Sequence, residues 1–188
     1  MNTLSKIRDI FYSGDFAFNG ESESINEISF LLDEKYLFLD SVEIAKKLEY
    51  VRLADEIARK HIHDAAAGGG YTHIALKVLS GRYLQKTKGR QSLFEQPFCG
   101  YFPDVLCEDK SIAVECGHTQ NPRKMLDYFR QGGIQEFIQV PYPSEDDNVL
   151  TGFVFTVGDQ LIEFLNFLDE TTRNKTKEVF RKRDRPEA

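Results

Sequence analysis

The stretch from Ser111 to Val140 constrains the fold more than any other part of the chain. Residues 111–116 form a strand-like run, and Asn121-Pro122 then places proline at the first position of a helix. Met125, Leu126 and Phe129 give that helix a buried stripe, and Gly132-Gly133 stop it. Residues 134–140 are strand-like again, ending at Pro141. Two strands joined through a helix run parallel, by a right-handed crossover, so this stretch demands a sheet with helices against it. Residues 92–98 and 101–107 read as two further strands. Glu108-Asp109-Lys110 is the tight turn that makes residues 101–107 and 111–116 a hairpin.

The neighbouring segments agree. Residues 71–84 carry Ile74, Leu76, Val78, Leu79 and Tyr83 at helical spacing, and residues 149–157 alternate as a strand does. Asp159 can cap a last helix with Leu161, Ile162, Leu165 and Leu168 facing inward. The order from residue 71 predicts an α/β fold, a mixed central sheet flanked by helices. Before residue 65 the pattern reads as helical. Leu4, Ile7, Ile10 and Phe11 recur at helical spacing, residues 13–24 read as a loop, and Ser41 can cap a longer helix with Ile44, Leu48, Val51 and Ile57 on one face. Three glycines, Gly68–Gly70, separate that half from the rest. The expected organisation is a helical N-terminal extension over 1–64, packed on an α/β core over 65–172, and a basic tail over 173–188.

Composition bounds the function. At 188 residues the chain suits one well-buried core. No apolar run approaches the roughly 20 residues that cross a bilayer, and residues 1–11 carry charges where a leader peptide would be apolar. Three cysteines without a C-x-x-C pair point to neither a disulfide framework nor a zinc ribbon, so a cytoplasmic location is expected. The net charge of −6 argues against nonspecific coating of nucleic acid. Basic residues are nevertheless clustered: Lys77, Arg82, Lys86, Lys88 and Arg90 fall in a stretch without acids, and Arg173, Lys175, Lys177, Arg181, Lys182, Arg183 and Arg185 near the end. Such stretches either hold a polyanion or are solvated surface.

The chemistry-bearing pair is Asp104 and Glu115. In the predicted hairpin they face each other across the ladder, where like charges repel unless a cation compensates. Two carboxylates with a nearby backbone carbonyl suit Mg²⁺ or Mn²⁺, which bind hard oxygen ligands and leave positions for water and phosphate. The alternative is two solvated strand-end charges. His118, three residues after Glu115, is either a general base near neutral pH or a loop histidine packed on the next helix. His61 and His63 end a predicted helix and read as structural. Tyr71, Tyr101 and Tyr128 either stack on bases or pack.

The run P-D-V-L at Asp104, the I-A-V-E-C-G run at Glu115 eleven residues on, and the N-P-R-K-M-L-D-Y-F helix together resemble the PD-(D/E)xK nuclease superfamily over roughly residues 70–142. The resemblance implies a restriction-endonuclease-like core and a Mg- or Mn-dependent endonuclease acting on DNA phosphodiesters. In it Asp104, Glu115 and the carbonyl of Cys116 would bind the metal. The family's lysine two residues after the glutamate is Gly117 here. The resemblance therefore implies a lysine supplied from elsewhere, Lys124 or Lys77, with Lys124 preferred because its helix begins beside the pocket. Where members often carry a glutamate on the first helix, Thr72-His73 stand. Arg123 with Lys86, Lys88 and Arg90 would contact the phosphate backbone. The other reading is a noncatalytic relative that binds nucleic acid or a protein partner, and a homodimer stays open.

Overall fold

A computed structural model describes residues 3–12, 21–60, 70–119 and 121–171. Its elements in chain order are α1 (Thr3–Phe11), α2 (Glu21–Asp33), β1 (Leu37–Lys46), α3 (Lys47–Arg59), α4 (Tyr71–Lys88), β2 (Ser92–Phe94), β3 (Val105–Cys107), β4 (Ile112–Cys116), α5 (Lys124–Asp127) continued by a π turn (Tyr128–Gly132), β5 (Glu136–Val140) and β6 (Val149–Val157). A last helix, α6, covers 161–171. The strands form one six-stranded mixed sheet in the order β1-β6-β5-β4-β3-β2. Only β4 and β5 pair in parallel; the other pairs are antiparallel. None of the helices described here is long and apolar enough to cross a membrane.

Strand alternation distributes the core to both faces of this sheet. Ala113, Phe137 and Phe155 join one apolar cluster with Ile7, Phe11, Ile28, Leu126, Tyr128 and Leu161, from α1, α2, α5, the π turn and α6. Val114, Ile138 and Val154 join a second cluster with Tyr50, Ala54, Ile57, Leu76 and Leu79, from α3 and α4. All five residues of β4 are buried, as expected of a strand covered on both sides. The crossover predicted around Asn121 is present, and so is the hairpin: Val105 faces Val114 and Leu106 faces Ala113. Lys110 takes a left-handed φ of 56° in its turn, where Ser111 donates to the Asp109 carboxylate from both its backbone N–H and its hydroxyl.

The N-terminal half differs from the sequence reading. Residues 37–46 are a strand rather than a helix capped by Ser41. They pair antiparallel with β6 from Leu37↔Val157 to Lys46↔Val149. The alternation of Leu37, Leu39 and the residues after it has the period of a half-buried strand, and the partner lies more than a hundred residues away. The helix starts at Lys47 and buries Tyr50, Ala54 and Ile57, while Leu48 and Val51 of the expected stripe are exposed. Helix α2 begins inside the expected loop 13–24. The first 64 residues thus supply a strand of the sheet and part of the core, and are not an appended helical layer. His61, His63, Gly68, Gly69 and the basic tail lie outside the described residues.

Smaller differences matter for the site. The expected strand 101–107 is strand only from Val105, because Pro103 has no N–H for a ladder. The strand begun at Ser92 ends at Phe94. Beyond it Phe98 and Tyr101 pair across Cys99 and Gly100, both at positive φ. The helix expected from Asn121 starts at Lys124.

Phe11 tests whether α1 belongs to the core. It is fully buried and stacks near Phe137 and Phe155, with ring centroids 6.5 and 5.6 Å away. Phe11→Ala should cost about 3–5 kcal/mol, read from urea unfolding; a cost below about 1 kcal/mol would make α1 a dispensable appendage.

Candidate active site

The end of the hairpin builds the site. The β3–β4 ladder ends at Val105↔Val114, and the next residues, Asp104 in a bend before β3 and Glu115 in β4, lie near enough for Asp104 to raise the Glu115 pKa. The Cys116 N–H turns to the Asp104 side chain, donating to Oδ2 at 2.7 Å. The pair lies at the C-terminal ends of the parallel strands β4 and β5, where open α/β sheets bind ligands. Asp104 and Glu115 are 9% and 5% exposed, so neither is the solvated strand-end charge of the alternative reading.

Helix α4 contributes its first turn. His73 Nε2 lies 3.0 Å from Asp104 Oδ1. The segment after β4 contributes the rest. Lys124 Nζ is 2.5 Å from Glu115 Oε2, and the Tyr128 hydroxyl donates to Glu115 Oε1 at 3.0 Å. Lys124 and Tyr128 are four residues apart and so share a helix face, both aimed at one carboxylate. Tyr128 sits at the entry to the π turn, a distortion frequent at functional sites. It is fully buried, with the rings of Phe98 and Tyr101 against it. Burial and the neighbouring carboxylate push its hydroxyl pKa up, so it stays a donor.

Burial raises the Glu115 pKa to about 7; Lys124 opposes that rise and Asp104 adds to it. The Cys116 thiol lies on the other face of the sheet, 3.6 Å from Ser80 Oγ, and burial holds its pKa well above the thiol range. Only its backbone carbonyl is suited to the ligand role expected of it.

Of the two candidate lysines, Lys124 contacts Glu115 directly, and Lys77, 4% exposed, donates to Glu95 at 2.6 Å. Gly117 explains why no lysine stands two residues after the glutamate. Its φ is +72°, and a Cβ there would fall 2.6 Å from the Tyr142 ring. The neighbouring His118 is exposed with its ring edge-on to Tyr142 at 5.2 Å, and partial desolvation pushes its pKa down. Gln139, the β5 partner of Glu115, is fully buried and donates to the Gly117 carbonyl at 2.7 Å.

The expected phosphate contacts separate. Lys88 bonds Glu136 and Arg90 pairs with Asp109 at the opposite end of the sheet, with exposed Lys86 near them. From His73 to Lys88 helix α4 rises roughly 22 Å, so these residues do not bracket the carboxylates. Arg123 precedes Lys124 in the chain, but its side chain lies 3.8 Å from Glu27, in a pocket with Leu126, Asp127 and Arg130. Of the tyrosines considered for stacking, Tyr128 is core, Tyr101 donates to Asp127 at 2.8 Å, and Tyr71 is half-exposed at the start of α4.

The sequence does not mark His73 and Gln139 as site residues, and it offers Tyr128 only as a stacking or packing ring. The K-x-x-x-Y spacing was the available signal for Tyr128; nothing local marks the other two. Among the described residues no three His, Cys, Asp or Glu side chains are grouped to hold a metal ion. No family model, curated protein or solved structure matches the chain.

Two outcomes follow. Gly117→Lys should cost about 1–3 kcal/mol more than Gly89→Lys. Both positions have left-handed φ, but a Cβ at Gly89 meets nothing within 4 Å. Equal urea midpoints for the two variants would refute the Tyr142 clash. The second outcome concerns pH. The folded Glu115 value, about 7, lies above the ordinary value of 4.5, so the native state binds more protons between those values. Stability contributed by this group is therefore complete below pH 4.5 and falls as pH rises through 7, by about 3 kcal/mol. In chelator, wild-type stability should drop more than that of Glu115→Gln between pH 5 and pH 8; parallel profiles would contradict it.

Proposed function

We propose that this protein is a divalent-metal-dependent phosphodiesterase acting on DNA, built on a restriction-endonuclease-like core of the PD-(D/E)xK type. The observation that carries the reading is that two buried carboxylates, Asp104 and Glu115, influence one another at the end of the hairpin, with the Lys124 amine 2.5 Å from Glu115. The donor chemistry fits Mg²⁺ or Mn²⁺: two buried carboxylates and the Cys116 carbonyl. Such an ion, when bound, polarises a phosphodiester and lowers the pKa of its water.

The chain's own residues have distinct tasks in this reading. Asp104, fixed by His73 and the Cys116 N–H, and Glu115, fixed by Tyr128, hold their oxygens in place without solvent. Lys124 takes the part of the motif lysine from a different element, since Gly117 has no room for one. His118, exposed three residues past Glu115, stands at the rim as the candidate general base.

A noncatalytic reading has its own support. The carboxylates are already satisfied by protein donors, which a site that has stopped binding metal and now serves a nucleic-acid or protein partner would also show. Cleavage of plasmid and oligonucleotide DNA with Mg²⁺, Mn²⁺ or chelator separates the two. The enzyme should cut only with metal, and Asp104→Asn, Glu115→Gln and Lys124→Ala should each slow it by about 100-fold or more. Cutting that survives chelator or Asp104→Asn belongs to a contaminant and removes the proposal; DNA binding without cutting selects the noncatalytic reading.

A further inference from the structure

Each of the four carboxylate oxygens of the pair has a donor. Asp104 Oδ1 has His73 at 3.0 Å and Oδ2 the Cys116 N–H at 2.7 Å; Glu115 Oε1 has Tyr128 at 3.0 Å and Oε2 has Lys124 at 2.5 Å. The donors differ in how readily they leave. The Cys116 N–H is backbone within β4, and the Tyr128 ring is fully buried. Lys124 is an ammonium on a flexible four-carbon stem, its side chain 16% exposed. It is the one ammonium among the contacts just named, and it occupies an oxygen that a divalent ion would need.

Removing an ammonium from a buried carboxylate without giving it another anion is costly. A divalent ion arriving alone displaces Lys124 into a largely closed space. An ion arriving with a phosphodiester does not, because the non-bridging phosphate oxygens accept the ammonium as Glu115 releases it.

We infer that Lys124 is the resident cation of the substrate-free site, and that it trades Glu115 for a substrate phosphate, so that metal and nucleic acid bind with positive coupling. The inference rests on the reading of Asp104 and Glu115 as a metal site. By linkage the coupling is reciprocal: the metal tightens DNA by the factor by which DNA tightens the metal.

The test is calorimetric titration of Mn²⁺ into the full chain, alone and with a phosphorothioate duplex that resists cutting, corrected for Mn²⁺ binding to the duplex. Wild type should bind Mn²⁺ weakly alone and about 5–150-fold more tightly with the duplex. Lys124→Gln should bind Mn²⁺ alone more tightly than wild type and lose most of the coupling. Lys124→Arg, able to grip Glu115 with two parallel bonds, should bind it more weakly, so the variants move in opposite directions and either one alone is informative. Circular dichroism confirms folding.

A lysine that only supports the fold, or only activates water, gives neither tightening in Lys124→Gln nor dependence on the duplex. That result overturns the inference while leaving the metal site and its phosphodiesterase reading in place. Absence of Mn²⁺ binding in wild type and both variants, with the duplex as without it, overturns the metal-site reading and the inference with it. Asp104→Asn supplies the reference for binding elsewhere on the chain.

Discussion

The ammonium of Lys124 against the buried carboxylate of Glu115 is the contact on which one whole end of the sheet depends. The end of the hairpin brings Asp104 near Glu115, and two buried acids that influence one another repel. Burial alone would drive Glu115 to its neutral form, and Asp104 strengthens the tendency. Lys124 counters both. An apolar trio of the same volume would be as stable or more so, whereas loss of one partner from a buried pair costs about 3–5 kcal/mol. The arrangement is thus poorly explained by stability and well explained by chemistry that requires charge at this point.

The surrounding architecture keeps the charges in register. Parallel pairing of β4 and β5 forces the chain to cross over between them, and that crossing carries Lys124 and Tyr128 past the end of β4. Helix α4 runs along the opposite face and delivers His73 to Asp104. The network therefore ties both helical layers to the strand ends between them. The N-terminal residues reinforce it from a distance, with Phe11 packed against the phenylalanines of β5 and β6.

What was legible in the sequence follows from how local each signal is. The hairpin, the crossover, and hence the meeting of Asp104 with Glu115, are written in turns and proline positions within about thirty residues. Lys124 could be preferred over Lys77 because its helix had to start near the end of β4. Strand β1 was not legible, because its partner is the distant β6 and residues 41–57 also satisfy a helical period in part. His73 and Gln139 were hidden for the same reason: each acts through a contact set by tertiary packing, with Asp104 thirty-one positions on and with the Gly117 carbonyl on the adjacent strand. The basic run 86–90 misled because a linear sequence does not say which end of a helix faces the site.

The Tyr142 ring over Gly117 makes two distant positions of the chain depend on one another. The space that a side chain at 117 would need is already filled by an aromatic ring. Admitting a lysine there would need both residues to change, since a lysine alone collides and a smaller residue at 142 alone leaves a void. Substitutions at the two positions are therefore non-additive, each costly by itself and tolerable only as a pair.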